Sequence, residues 1–544
     1  MKLKNTIFII SLWVLVVAIA IFYRPLLPVD ETRYLSVAWD MWVTEKFLVP
    51  SLNGSVYSHK PPLLFWLIHV GWYLFEVNDW WPRVIAPIFG LGCLFLTRQL
   101  ALVLWPGQER VSLMAPLILF SCLFWTLFST LTMFDLIQAF FALMALLGIV
   151  IAWRENSIFG FLLLGVGIGL GGLAKGPAIL VHVMPAALLA PIWGAKILQE
   201  RSADLLIRWY VKIMFSVILG LGIVLLWAIP AGHFGGPEYR EAIFWGQTAG
   251  RITKSFAHER PFWWYLPIFP LLILPWCVWP IFWKGIFANF KGLSLDAGSI
   301  FCVIWFAGSF LIFSIISGKQ LHYLLPIFPA FALIGANGLS KIDRLGENLL
   351  ERALLPCFYG VLGFLVLLLP NLPIFMNKVI WVSKLNFEYG LVIGIMGFWL
   401  YKRTKRHISS LVMEISIGSA IVVVCAHLIL SDVLFNFYNL QPLANKLSVL
   451  QQQGYAIANF GKYHGQYNFL GRLKKPITVI GLLKTQKMEF LKNAPNGKIV
   501  AYYRSPPKKV KPIFTQNFRQ MTVVIWDARE FIKNPKLGDR RANY

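Results

Sequence analysis

Long apolar stretches separated by short polar segments fill the chain up to about residue 440. They predict thirteen membrane-crossing helices, at approximately 7–23, 84–104, 112–129, 134–152, 158–174, 176–193, 210–230, 264–284, 299–316, 321–338, 353–370, 387–401 and 411–431. Most approach the length that a hydrocarbon core of about 30 Å requires. A further stretch, 63–76, is short, follows Pro61-Pro62 and ends in Glu76, Asn78 and Asp79. It reads as a helix lying in the membrane interface, anchored by Trp66, Trp72, Trp80 and Trp81. The charges agree with a count of thirteen. With Lys2 and Lys4 inside, the basic clusters at Arg98 and Arg110, Lys196 to Lys212, Lys341 to Arg352 and Lys402 to His407 all fall on the same side, as the positive-inside rule requires. The C-terminus then lies on the opposite side. The basic start resembles a secretory signal, but no small-x-small cleavage site precedes Tyr23-Arg24-Pro25, so a retained anchor is expected.

After residue 441 the periodicity changes. Gly454 to Asn459, Pro476 to Gly481, Lys498 to Tyr503 and Met521 to Trp526 are short β-branched or aromatic runs bounded by Gly and Pro, which predict strands. Residues 441–453 and 484–493 read as helices between them. The expected architecture is therefore a membrane domain over 1–440 with a first outer loop at 24–83, followed by a small outer α/β domain over 441–544.

Composition sharpens this picture. At 58% hydrophobic and 14% charged, with a mean hydropathy of +0.65, the chain falls far below the roughly 25% charged residues of soluble domains. All six cysteines lie inside apolar stretches, so neither a disulfide framework nor a cysteine metal site is expected. The net charge of +25 comes from the inner loops and from the C-terminal region. Residues 441–544 hold 19 Lys and Arg against 4 Asp and Glu, a net of +15. Placement across the membrane argues against nucleic acid as partner and leaves anionic lipid or a solvated basic face.

The outer side receives a set of ionisable residues that a structural role does not require. Asp30-Glu31-Thr32-Arg33 follows the first span, and His59-Lys60-Pro61-Pro62 lies further along the same loop. The acidic pair could be a first-turn helix cap. Alternatively, Asp30 and Glu31 are catalytic carboxylates: Asp30 takes a proton from or orients an acceptor, and Glu31, with Arg33, holds it in place. Lys60 either snorkels to headgroups or, fixed by its prolines, stabilises a leaving phosphate. Asp135 at the mouth of the fourth span reads as an N-cap or as a supporting site residue. The glycine run 165–172 ending in Lys175 lies in a span and predicts close helix packing; Lys175 is a weak phosphate candidate. Arg251 suits phosphate geometry, with His258 nearby. Lys319, His322 and Tyr323 share a short hairpin between two spans whose turn does not need them.

In order along the chain, Asp30-Glu-Thr-Arg-Tyr34, Leu52-Asn-Gly54, Lys60-Pro-Pro62, Trp81-Pro-Arg83, Asp135, Leu173-Ala-Lys-Gly-Pro177, His258 to Tyr265 and Lys319-x-x-x-Tyr323-x-x-Pro326 resemble the membrane glycosyltransferases of the GT-C class. The similarity is to the bacterial branch holding the lipid A aminoarabinose transferases and relatives of the protein O-mannosyltransferases. It spans roughly residues 25–330. The resemblance implies a multi-pass enzyme of the bacterial inner membrane with a GT-C fold. Such an enzyme uses a polyprenyl (undecaprenyl) phosphate sugar at a periplasmic site, without direct use of a nucleotide sugar. It implies Asp30 as the catalytic carboxylate, with Lys60, Arg251 and Tyr323, joined by Lys319, around the donor phosphate. Asp135, Lys175, Arg33 and His258 support them. The aminoarabinose enzymes carry glutamate before the lysine where this chain has His59, so a divalent metal at His59 and Glu31 and the identity of the sugar are both left open. The expected acceptor is a glycolipid such as lipid A; the alternatives are a secreted protein's Ser/Thr, transport of a lipid-linked sugar, or a scaffold.

Overall fold

The structure is a computed structural model that describes residues 2–197, 203–246, 259–290, 295–371, 381–507 and 510–538. Among these, nine helices are long and apolar enough to cross a membrane, and ten if the bent pair Glu109–Ser121 and Leu123–Ser129 forms one span. The other three expected spans are present as shorter pieces. Residues 176–193 form Ala178–Leu188 and Ala190–Gly194. Residues 264–284 break into Tyr265–Leu272 and Pro280–Phe290, and 387–401 is Tyr389–Arg403. Proline explains the central break, since Pro275 and Pro280 lack an N–H and clash with a preceding turn. The two breaks meet: at the 72° bend the Leu123 N–H, released from helix, donates to the Leu274 carbonyl at 2.8 Å.

The site is positioned by the first nine helices, α1 (Lys2–Phe22), α2 (Asp30–Thr44), α3 (Leu63–Phe75), α4 (Trp80–Leu104), α5 (Glu109–Ser121), α6 (Leu123–Ser129), α7 (Asp135–Glu155), α8 (Ile158–Lys175) and α9 (Ala178–Leu188). The expected first outer loop is thus largely helical, with a short hairpin of β1 (Ser51–Leu52) and β2 (Ser55–Val56) between α2 and α3. Helix α3 leaves Val70, Tyr73 and Leu74 exposed and buries Leu64, Phe65, Ile68 and Trp72, as the 3.6-residue period dictates. Trp72 is therefore an inner packing residue, stacked on Phe469 at 5.3 Å, and not an interfacial anchor as its neighbours suggested. The glycine run serves packing. Within it a Cβ at Gly167 would lie 2.8 Å from the Ala145 Cβ, and ahead of it one at Gly160 would lie 2.5 Å from the Ala152 nitrogen. Helices α7 and α8 consequently run tightly antiparallel, and the end of α8 meets the start of α7.

Beyond residue 440 lies a five-stranded sheet, formed by β3 (Ile457–Phe460), β4 (Thr478–Ile480), β5 (Lys498–Tyr503), β6 (Phe514–Phe518) and β7 (Met521–Asp527) in the order β4-β3-β5-β7-β6. The β3 pairings with β4 and β5 are parallel, and those of β7 with β5 and β6 antiparallel. Strand β6 was not expected; its Thr515, Gln516 and Asn517 hide the alternation of an edge strand. The sheet region packs on the first outer segment. One core joins Leu35, Val37, Ile68 and Trp72 to Leu443, Phe469, Val500 and Ile525. Trp39 donates to the Leu473 carbonyl at 2.8 Å, and the Phe469 N–H donates to Ser36 at 3.0 Å.

Candidate active site

Helix α2 starts directly after the Pro25 and Pro28 turn, and its first residues are Asp30 and Glu31. Neighbours on a helix point about 100° apart, so the two carboxylates separate. Asp30 faces out, exposed, and is ion-paired to Arg33 one turn on. Glu31 faces in and is 2% exposed, paired with Arg24, which also approaches the second carboxylate oxygen at 3.1 Å. The backbone N–H groups of Leu27 and Thr132 donate to Glu31, each at 2.8 Å. Arg24 further donates to the Thr130 carbonyl at 2.9 Å. Arg83, in the first turn of α4, donates to the carbonyls of Ile21, Ala20 and Arg24. Burial works to raise the Glu31 pKa, but Arg24, Arg83 and the Thr132 N–H outweigh it and hold the carboxyl below its usual range. Glu31 is accordingly a positioning residue and not the catalytic partner expected of it. It pins the start of α2 to the 130–132 turn, and so holds Asp30 beside the start of α7.

The same pairing removes the suggested metal site. Both Glu31 oxygens are occupied, while His59 is exposed with its ring 5.3 Å from Tyr57. Among the described residues no group of three His, Cys, Asp or Glu could hold a metal ion.

A second cluster forms where α7 begins. The cap of α7 is Phe134, and no side chain caps it, so Asp135 is a first-turn residue and not the N-cap. Its buried carboxylate is ion-paired to Lys175 at the end of α8, a contact that the glycine packing of the two helices enforces. The Lys175 ammonium also lies 4.5 Å from the centre of the Tyr323 ring. Lys60 sits 5.5 Å over the Phe134 ring. That ring is in edge contact with Tyr34 at 4.8 Å and Phe65 at 5.6 Å. Phe134 thus links the Asp30 helix, the Lys60 turn and Asp135. His322, stacked on Phe128 at 5.2 Å, lies within electrostatic reach of Asp135, Lys175, Lys60 and Asp30. The structure therefore brings together Asp30, Arg33, Lys60, Asp135, Lys175 and Tyr323, with His322 in their midst.

Lys319 does not join them. Lys319 is 2% exposed and donates to the Ile316 carbonyl and, at 3.0 Å, to the Arg260 carbonyl. With the Glu259–Gly318 bridge it fastens the hairpin in place, so its ammonium is occupied and is not placed as a phosphate ligand. Arg251 and His258 lie outside the described residues. Three residues went unassigned by the sequence reading. Arg24 and Arg83 each stand alone at the outer end of an apolar span, a signal that was available. His182 gave none: it is fully buried in α9, its ring nitrogens have no hydrogen-bond partner, and it lies within reach of Lys175 and Asp135.

Over this aromatic floor an exposed carboxylate can activate a hydroxyl and the lysines can hold a phosphate. Comparison with known proteins bears on the fold. Residues 59–227 match the family model described as dolichyl-phosphate-mannose-protein mannosyltransferase. The chain is 28% identical to an undecaprenyl phosphate-alpha-4-amino-4-deoxy-L-arabinose arabinosyl transferase of Erwinia tasmaniensis, over 64% of this chain and 62% of that one. It is 29% identical to the Aeromonas hydrophila protein of the same description, over 65% of each. The chain thus spans somewhat less than two thirds of these relatives' length. The crystal structure of ArnT from Cupriavidus metallidurans bound to undecaprenyl phosphate superposes with a TM-score of 0.75, at 17% identity, covering 95% of this chain and 97% of that one. The apo oligosaccharyltransferase of Archaeoglobus fulgidus follows at a TM-score of 0.51 and 12% identity, covering 90% and 69%. The chain has the GT-C fold of these structures, and residues 59–227 are similar to the mannosyltransferase family model.

Proposed function

We propose that this protein is a bacterial inner-membrane glycosyltransferase. It moves a sugar from undecaprenyl phosphate to a glycolipid such as lipid A, on the side of the membrane that carries the sheet. The observation that carries the reading is the open Asp30 carboxylate held beside Lys60 and the Asp135–Lys175 pair. The arabinosyl transferase relatives and the undecaprenyl phosphate-bound fold relative support the donor.

In the reaction, an acceptor oxygen attacks the sugar's anomeric carbon as its bond to the donor phosphate breaks, with inversion. Asp30 takes the proton from a hydroxyl acceptor or orients an acceptor that is already an anion. The departing polyprenyl phosphate gains one negative charge, which Lys60 and Lys175 stabilise without reorganising. Asp135 holds Lys175, and Tyr323 packs against it.

The test is transfer by the purified full-length protein. Asp30→Asn is expected to lower the rate by at least about 100-fold, the usual worth of general-base chemistry, with the thermal transition unchanged. Wild-type transfer in this variant would dismiss the assignment. A protein Ser/Thr acceptor is the second reading, favoured by the description of the family model at residues 59–227. Label appearing in a protein band and not in lipid would select it.

A further inference from the structure

A cavity of about 360 Å³ lies away from the Lys60–Asp135 cluster, between the last long helix (Ile408–Phe437) and the sheet. Trp381, Phe437, Tyr438 and Met521 form its apolar wall, and Arg504 and Arg519 supply two guanidinium groups. Its size falls at the lower end of small-molecule sites, about 300–1,000 Å³. Its height relative to the bilayer follows from the helix that leads to it. Twenty-six residues separate Leu411 from Phe437, which at about 1.5 Å each makes roughly 39 Å of helix. That exceeds the hydrocarbon core of about 30 Å and approaches the 40–45 Å that includes headgroups. The cavity mouth therefore stands where lipid phosphates reside, lined by the aromatic residue types that favour this layer.

The turn that carries Arg519 is built at a cost. Arg519 and Gln520 form the two-residue loop between β6 and β7, and Arg519 has φ +55°. Such loops favour Asn or Gly, because a side chain disfavours this backbone region. Arginine is held there by its own N–H on the Phe437 carbonyl and by its guanidinium, which donates to the Pro28 carbonyl at 2.9 Å. Pro28 is two residues from Asp30. One wall of the cavity is thus bonded to the turn that presents the proposed catalytic carboxylate. Arg504, at the end of β5, is exposed and carries the second charge at the rim.

We infer that this cavity is an acceptor subsite that binds a phosphate carried on a lipid, the aromatic wall taking the lipid's glycerol or sugar body. The inference rests on the transferase reading for the word acceptor, and on the cavity alone for the ligand chemistry. A donor phosphate is already provided for at Lys60 and Lys175, neither of which lines this cavity.

Binding to the full-length protein in nanodiscs, without sugar donor, tests it. The probes are lipid A, dephosphorylated lipid A and undecaprenyl phosphate; the variants are Arg504→Glu and Met521→Trp, the second filling the cavity without touching charge. Either variant is expected to weaken lipid A binding about tenfold or more, the worth of one charge-assisted contact. Undecaprenyl phosphate should bind both variants as it binds wild type. Dephosphorylated lipid A should bind wild type weakly and ignore Arg504→Glu, and millimolar inorganic phosphate should leave lipid A bound. Unchanged lipid A affinity in both variants, a loss confined to undecaprenyl phosphate, or displacement by inorganic phosphate would each overturn the inference. Because no turnover is read, the result stands apart from the fate of Asp30→Asn.

Discussion

Asp30 and Glu31 are adjacent and chemically alike, yet only one is open to a substrate. The difference arises from Arg24, Arg83 and the Thr132 N–H, which close around Glu31 and leave Asp30 to Arg33 and solvent. Glu31→Gln should therefore lose stability and, through a displaced α2, activity. Its pH dependence has a definite sign. A carboxyl whose folded pKa lies below the ordinary 4.5 stabilises the fold fully above that value, and the contribution fades as pH falls through the folded pKa. The stability gap between wild type and Glu31→Gln, read as a melting difference, should be full above about pH 5 and shrink below 4.5. A gap that grows on acidification would contradict the Arg24 pairing. Asp135 and Lys175 allow a sharper separation of structure from chemistry. Lys175→Met strands a buried carboxylate and should cost about 3–5 kcal/mol. Asp135→Asn with Lys175→Met should restore most of that stability, because no charge is then left unpaired, but not transfer. Recovery of both would make the pair purely structural. The sequence displayed these residues as charges at span ends, and Asp30, Asp135 and Lys175 were legible on that ground. Which carboxylate turns inward was not, since it depends on Arg83 and Thr132, remote in sequence. Lys319 misled for the same reason: its partners are carbonyls at Arg260 and Ile316, and no pattern of residue types reveals a carbonyl's direction.

Elements transmit this arrangement. The α7–α8 contact brings Lys175 to Asp135 because glycines remove the side chains that would part the helices. Gly160→Ala would place its Cβ 2.5 Å from the Ala152 nitrogen, which only a helix shift relieves. We expect a cost of about 1–3 kcal/mol and a fall in transfer, measured by thermal denaturation in detergent and by activity. An unchanged melting transition would show that the two helices are not so closely packed. The apolar pattern foresaw these two helices well, because both are long and uninterrupted. It foresaw less where proline divides a span, as between Leu272 and Pro280. In the outer segment 24–83 the helix over 63–76 was legible, but α2 was not, because it is short and its polar residues are dense, although α2 and α3 bury an apolar stripe each. That stripe faces a sheet some four hundred residues away, a contact local periodicity cannot show.

At the scale of the whole molecule, the sheet region is part of the frame that holds the site. Trp39, Ser36 and Trp72 of the outer helices bond to or stack on Leu473 and Phe469. Phe469→Ala, with its ring fully buried, should cost about 3–5 kcal/mol and loosen α2, seen as faster amide exchange in residues 30–44. Protection unchanged there would mean that the sheet merely rests on the membrane part. The central claim concerns a sugar, a lipid carrier and one carboxylate. It is tested most directly by mass spectrometry of total glycolipids and exported proteins. The comparison is a host lacking this protein, complemented by wild type or by Asp30→Asn. We expect one sugar on one glycolipid to disappear in the deletion, return with wild type and stay absent with Asp30→Asn. A complete set of sugars in all three strains, or a return with Asp30→Asn, would contradict the account.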